Sequence, residues 1–199
     1  MAERLATLAR VEAAVWDELE RAVQGKAQGE ARSASHAWRT PVLATVNGNG
    51  ADARTVVLRA VDRIDRRLTF FTDRRAGKVA QLVSHPLATL LMWSDALGWQ
   101  LRCRAVLTLR PRDATTDGLW ARVEKSPAAL DYLSTLAPGT PLDIDSPSAR
   151  DPGGAVGSTP GEHFAVVDAH VQRIDWLELH RDGHRRAVFE GAGARWVQP

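Results

Sequence analysis

The residues best suited to chemistry in this 199-residue chain gather between Arg54 and Lys78. Arg54 opens the run Arg54-Thr55-Val56-Val57-Leu58-Arg59, which is rich in β-branched residues and apolar on both faces. That pattern suits a central strand covered on both sides. A turn through Asp62–Arg67 leads to a second strand, Leu68–Thr72, and Asp73–Val83 then spaces Val79, Leu82 and Val83 for one face of a helix. Thr72 or Asp73 would be its N-cap. Arg74 and Arg75 would fall in the first helical turn, with Lys78 one turn beyond Arg75. Cations there oppose the helix dipole by a few tenths of a kcal/mol up to about 1 kcal/mol each. An anion held by the free N–H groups and these side chains would reverse the sign, as at phosphate sites. Arg54, heading an apolar strand, also needs a partner once buried. The competing reading is that these cations are solvated or paired with Asp62, Asp65 and Asp73, because surface ion clusters are common and cost little. The charge pattern alone favours this second reading.

The order of the residues adds a second argument. It resembles the flavin-mononucleotide (FMN) segment of the pyridoxamine 5'-phosphate oxidase family. That family has an Arg-x-Val-Leu-Leu-Lys strand, an aromatic–Thr pair ending the next strand, and an Arg-Lys pair in the following helix. The resemblance implies that Arg54, Thr55, Val56, Val57, Leu58 and Arg59 line the cofactor. It also implies that Arg54 and Lys78 hold its phosphate and that Phe71 and Thr72 touch it. One position departs: the arginine preceding the helix lysine is Gly77 here, so Arg74 or Arg75 would have to supply that charge.

Two later stretches extend the resemblance. Gln100 matches a flavin-contacting glutamine in a Gln-Val-Arg strand. At the C-terminus, Trp176, His184-Arg185-Arg186 and Trp196…Pro199 are similar to the family's closing motif. Arg186 matches its flavin-contacting arginine and His184 its substrate-contacting histidine, with Arg59 also on the substrate side. Leu177 replaces a second aromatic, leaving Trp176 as the flavin neighbour. The substrate side departs more. Asp182 stands where the family has an arginine, and no Tyr…Arg…Ser phosphate set is recognisable around Trp120–Pro127. A carboxylate there repels a substrate phosphate, so pyridoxamine 5'-phosphate is expected to be a poor substrate and an uncharged or cationic molecule a better one.

These residues need a scaffold, and composition bounds it. The chain is 44% hydrophobic and 25% charged, with a net charge of +2 and one cysteine, Cys103. It reads as a single domain with its own core, without an internal disulfide and suited to a reducing, cytoplasmic compartment. Interspersed charge gives weak support to a nucleic-acid surface. The longest apolar run, Leu87–Trp93, is too short to span a bilayer, and the charged Met1–Gln24 is not a secretory signal.

Residues from Glu3 to Val23 place apolar side chains at helical spacing, with Gly25 as a stop, and Lys26–Ala37 reads as a connection. Thr40–Val46, a hairpin at Asn47-Gly48-Asn49-Gly50, Leu87–Trp93 and Gln100–Leu109 read as strand signals. Helical segments are expected over Asp113–Glu124 and Pro127–Leu136, and a long mobile loop over Pro138–Gly161. Strands return over His163–Arg173, Asp175–His180, Arg185–Glu190 and Arg195–Val197. Many strands joined by hairpins, with few helices, argue for a mainly β, α+β antiparallel barrel, and the resemblance implies an FMN-binding split β-barrel with peripheral helices.

The functional expectation is an FMN-dependent oxidoreductase acting on a small molecule, with no nucleic acid or membrane partner. The family pairs as homodimers with FMN at the subunit interface. The cofactor carries the redox chemistry, so no catalytic side chain is assigned and no metal is expected. His180 and His184 flank a turn, and Cys103 lies on an apolar strand face. The alternatives are a genuine pyridoxamine 5'-phosphate oxidase, a flavin-binding module without turnover, and a barrel binding nucleic acid in the manner of an OB-fold.

Overall fold

The computed structural model describes residues 4–24, 36–48, 50–141 and 161–199. Nine antiparallel strands form one sheet: β1 (Val42–Asn47), β2 (Gly50–Thr55), β3 (Leu58–Asp62), β4 (Arg67–Asp73), β5 (Leu87–Ser94), β6 (Trp99–Leu109), β7 (Phe164–Glu178), β8 (Arg185–Glu190) and β9 (Gly193–Val197). The hydrogen-bonded order is β2-β1-β5-β6-β7-β4-β3, with β8 on β7 and β9 on β8. Among the described residues three helices accompany it: α1 (Leu8–Val23), α2 (Gly77–Ser84) and α3 (Ala114–Val123), with 3-10 turns at Ala37–Arg39 and Pro127–Tyr132. The mainly β, α+β architecture is the one the strand and hairpin signals indicate.

The run expected as one doubly covered central strand is instead divided. It breaks at Val56-Val57 into β2, which pairs β1, and β3, which pairs β4. β2 and β3 therefore stand at opposite ends of the strand order, joined by two residues. The sheet is thereby drawn round on itself, and the run is apolar because it crosses this corner: Val56 and Leu58 are buried in the common core. That core also takes Leu43, Leu90, Leu101, Cys103, Ala105, Leu107, Phe70, Ile174, Trp176 and Phe189. Burial pushes the Cys103 thiol up to about 12, so it is a core side chain with no thiolate at neutral pH.

Helix α1 begins at Thr7, whose hydroxyl accepts from the Arg10 N–H, and buries Val11, Val15, Trp16, Leu19 and Ala22 against this core. Helix α3 is fixed by a reciprocal capping box between Asp113 and Thr116. With the 3-10 turn after it, α3 covers a second apolar cluster of Trp120, Ala129, Tyr132, Phe164 and Val166. The two strands expected over 163–180 are one, β7, with a β-bulge where its pairing to β6 shifts between Arg104 and Ala105. The expected loop over 138–161 and connection over 26–37 lie largely outside the described residues, as do Gly25 and Asn49.

The β5–β6 hairpin turns through Gly98 at φ +64, and a Cβ placed there would stand 2.8 Å from the Leu179 carbonyl oxygen. That carbonyl's own residue donates its N–H to the Gly98 oxygen at 2.8 Å. Gly98→Ala should destabilise the protein by about 1–2 kcal/mol from the left-handed conformation alone. A lower urea midpoint at unchanged m-value would show it; an unchanged midpoint would contradict the tight approach.

Candidate cofactor site

The expected residues fall into two groups, sorted by the alternation of side chains along each strand. The first lies on the inner face beside α2. Register carries Arg54 across to Leu43, Leu90, Cys103 and Ile174, all core residues, so Arg54 points to the inner face. Its guanidinium bonds the Thr45 hydroxyl, the Asp52 carboxylate and, at 2.9 Å, the Gln81 side-chain oxygen. The Thr45 hydroxyl donates to the same Gln81 oxygen at 2.6 Å, and the Gln81 amide donates to Asp52 at 2.8 Å. Lys78, one turn before Gln81 on α2, donates to the Thr72 hydroxyl at 2.9 Å. Burial and the neighbouring Arg54 charge together hold the Lys78 amine below its usual range, against a smaller opposing pull from Asp73. Two cations thus stand together beside α2, with the half-exposed Asp52 paired to Arg54 and the buried Asp73 near Lys78.

The second group lies on the outer face. Gln100 pairs in register with Trp93 on one side and Leu177 on the other, and Leu177 pairs with Arg186. Asp175 organises this face. It accepts two hydrogen bonds from Arg186, at 2.9 and 2.8 Å, and another from Arg102, with Arg173 3.8 Å away. Burial alone would raise the Asp175 carboxyl, but these arginines outweigh it and the net shift is downward. Arg186 is held correspondingly above its usual value by the same bonds. Gln100 makes no side-chain hydrogen bond among the described residues, and the exposed apolar side chains Val46, Leu87, Leu91 and Trp93 lie on this same outer face.

Arg54, Thr72 and Lys78 therefore face one side of the sheet, and Gln100 and Arg186 the other.

Other expected residues are placed differently. Val56 and Leu58 are core side chains and offer a ligand only backbone, while Thr55 is exposed and Val57 half-buried. Phe71 points away from Thr72, into the α3 cluster, edge-on to Phe164 at 4.9 Å and under the Arg59 guanidinium at 5.6 Å. Trp176 is not at the surface: it is fully buried, packed edge-on against Trp99 and Trp196. It belongs to the inner face, which removes it as a stacking neighbour for a cofactor on the outer one.

Helix α2 starts at Gly77, after Ala76, with no side-chain cap, so neither Thr72 nor Asp73 caps it. The cause is local. Asp73 accepts from the Arg75 N–H at 2.7 Å and binds the Arg75 guanidinium through both oxygens, closing a turn ahead of the helix. Arg75 also donates to the Ser134 and Thr135 carbonyls, so its charge is already committed. Arg74 is exposed, with its N–H on the His163 carbonyl at 2.7 Å. Arg75 is thus no substitute for the family arginine at Gly77.

His184 closes the β7–β8 turn, its Nδ1 accepting from the His180 N–H at 3.1 Å. It sits at the Trp99 end of β6, whereas Arg59 lies by the Leu109 end, roughly 30 Å away at the rise of a strand. One chain does not bring the two together. Thr45, Asp52 and Gln81 were not singled out from sequence, yet the hairpin register pairs Thr45 with Asp52, and Gln81 follows Lys78 at helical spacing. Those were the available signals.

Residues 13–110 match the model of the pyridoxamine 5'-phosphate oxidase FMN-binding domain. The chain belongs to the pyridoxamine 5'-phosphate oxidase-like split-barrel family. Among solved structures of that fold, a pyridoxamine 5'-phosphate oxidase-related, FMN-binding protein from Nostoc punctiforme is similar at 25% identity, with a TM-score of 0.67 over 94% of this chain and 96% of that one. PhzG from Burkholderia lata, solved with tetrahydrophenazine-1-carboxylic acid, shares the fold at 20% identity and a TM-score of 0.64, covering 81% of this chain and 82% of its own. No curated protein matches the sequence.

The carboxylates on this split barrel carry a pH signature. Asp168, Asp175 and Glu178 are each shifted downward on balance, burial opposing and arginine hydrogen bonds prevailing. Groups with depressed folded values stabilise the fold above their unfolded pKa, about 4, and lose that contribution as pH falls through the folded value. In Asp175→Asn the dependence of unfolding free energy on pH below about 4 should flatten by up to about 1.4 kcal/mol per pH unit. Urea unfolding at a series of pH values tests this, and an unchanged slope would contradict the assignment.

Proposed function

We propose that this protein is an FMN-dependent oxidoreductase that works as a homodimer, with each flavin held between the inner-face group of one subunit and the outer-face group of the other. The observation that carries this reading is the convergence of Arg54 and Lys78, with Thr45, Thr72 and Gln81, on the inner face beside α2. Two crowded cations with hydroxyl and amide neighbours suit a phosphate dianion, which would offset the burial and the Arg54 repulsion that together lower the Lys78 amine.

Bound FMN would supply two-electron transfer, which needs no protein nucleophile. The protein's part is to bind and orient. Arg54 and Lys78 would grip the phosphate, and Thr72 would hold the Lys78 ammonium in place. Gln100, without a side-chain hydrogen bond among the described residues, would offer its amide to the polar edge of the ring. Asp175 keeps Arg186 charged and aimed from the opposite face. Exposed Trp93, Leu91, Leu87 and Val46 would be covered by the second subunit, which also accounts for why one chain separates Arg59 from His184. The substrate is a small molecule other than pyridoxamine 5'-phosphate, and the setting is cytoplasmic.

A flavin-binding module without turnover would share every contact above. Steady-state turnover with candidate reductants under air separates the two: reduction and reoxidation of the bound flavin favour the enzyme, and an inert yellow protein favours the module.

Affinity tests the site itself. FMN should bind one per subunit, and Arg54→Ala and Lys78→Ala should each weaken it by about 1.5–3 kcal/mol. Arg75→Ala should leave affinity unchanged. A Cβ at Gly77 meets nothing within 4 Å, so Gly77→Arg should fit and tighten binding. Fluorescence titration reads all four, and no loss in the Arg54 and Lys78 variants would overturn the phosphate site. Sedimentation should give a dimer; a flavin-loaded monomer at micromolar concentration would contradict the shared site.

A further inference from the structure

Beside the outer-face group, two adjacent rows of side chains cross β5, β6 and β7. One row is Leu91, Arg102 and Asp175, in which the carboxylate answers the guanidinium. The other is Thr89, Arg104 and Arg173, in which two arginines stand directly opposite each other. Like charges at directly opposed positions of an antiparallel pair destabilise it, and nothing here balances them fully. Arg104 has no hydrogen bond or ion pair among the described residues. Arg173 reaches only loose contacts, 3.8 Å from Asp175 and 3.8 Å from Glu190. Asp175 is already occupied by Arg186 and Arg102. Thr89, Arg102, Arg104, Arg173 and Asp175 enclose an open pocket of about 210 Å³.

The Arg102 Nε is buried without an acceptor among the described residues. Three guanidinium groups and one hydroxyl thus surround a space that contains one spent carboxylate. The arrangement lacks an acceptor with two or three oxygens.

We propose that the Thr89–Arg104–Arg173 row is an oxyanion site, and that it receives the carboxylate or phosphate group of the protein's substrate. This rests on the flavin reading, since Arg102 joins the pocket to Arg186 through Asp175. Gln100 lies on the same face of β6, four residues from Arg104, or roughly 13 Å. Thr89 lies between Leu87 and Leu91 on β5, so in the proposed dimer the row is a recess of the subunit interface. A planar substrate lying along a flavin held there at Gln100 and Arg186 can extend an anionic group into it. Planar guanidinium groups suit such a group because they donate pairs of parallel hydrogen bonds. The proposal revises the expectation of an uncharged or cationic substrate drawn from Asp182. That residue lies at the far end of the β7–β8 hairpin, exposed and 3.5 Å from His180, away from this pocket.

The test uses the full-length protein, with and without FMN, titrated calorimetrically with benzoate, phenyl phosphate and, as a neutral control, benzyl alcohol. At least one anion should bind saturably and benzyl alcohol should not; which anion binds tells carboxylate from phosphate. Arg104→Gln and Arg173→Gln should each weaken that anion by about tenfold or more, while FMN affinity changes by less than about twofold. If FMN binds and neither anion does, the oxyanion site is wrong and the flavin reading survives. If an anion binds in the arginine-dependent way but FMN does not, the site stands and the flavin reading fails. If the variants dissociate the dimer in sedimentation and neither anion binds to the parent, the arginines face the partner subunit and the proposal is overturned.

Discussion

The period of two along a β-strand governs what this protein can do with its charged side chains. Arg54 shares a face with Leu43, Leu90 and Cys103, whereas Gln100 and Arg186 share the other with Trp93 and Leu177. Closure of the sheet through the two residues between β2 and β3 fixes that assignment, because a shift of one residue would carry Val56 or Leu58 out of the core. The hydrophobic core thus sets the orientation of the polar site. A ligand that needs both groups needs two chains.

Electrostatics on the two faces follows a common plan with different outcomes. Each cluster is cationic and organised by one carboxylate: Asp52 on the inner face, Asp175 on the outer face. Asp52 is half-exposed and can yield to a stronger anion, since exposed pairs contribute little. Asp175 is buried with bidentate Arg186 and serves as a fixed support. Elsewhere Asp73 and Asp168 bind Arg75 and Arg110 in the same bidentate way and hold loops and strands together. The same residue types therefore support structure in one place and leave charge available in another. Only the partners distinguish the cases.

Much of this was legible in the sequence. Period-two alternation and turn residues marked the strands, and the helical segment expected over Asp113–Glu124 contains α3. Arg54, Thr72 and Lys78 could be grouped by order along the chain. Three things could not be read. The division of the Arg54 run at Val56-Val57 depends on closure between strands far apart in order, which a local apolar pattern does not encode. The commitment of Arg75 to Asp73, Ser134 and Thr135 depends on a loop sixty residues away. The burial of Trp176 depends on Trp99 and Trp196. In each case a long-range partner decided the outcome.

The central claim is that one flavin spans two subunits, and half-site complementation tests it most directly. Lys78→Ala and Arg186→Ala subunits, differently tagged, are mixed and the heterodimer is purified. One of its two sites then combines an intact Lys78 with an intact Arg186, while the other lacks both. The account predicts one FMN per heterodimer bound with the affinity of the parent protein, although each mutant homodimer binds weakly. A heterodimer in which neither site recovers that affinity would contradict it, because the two residues would then have to act within one chain or not on the flavin at all.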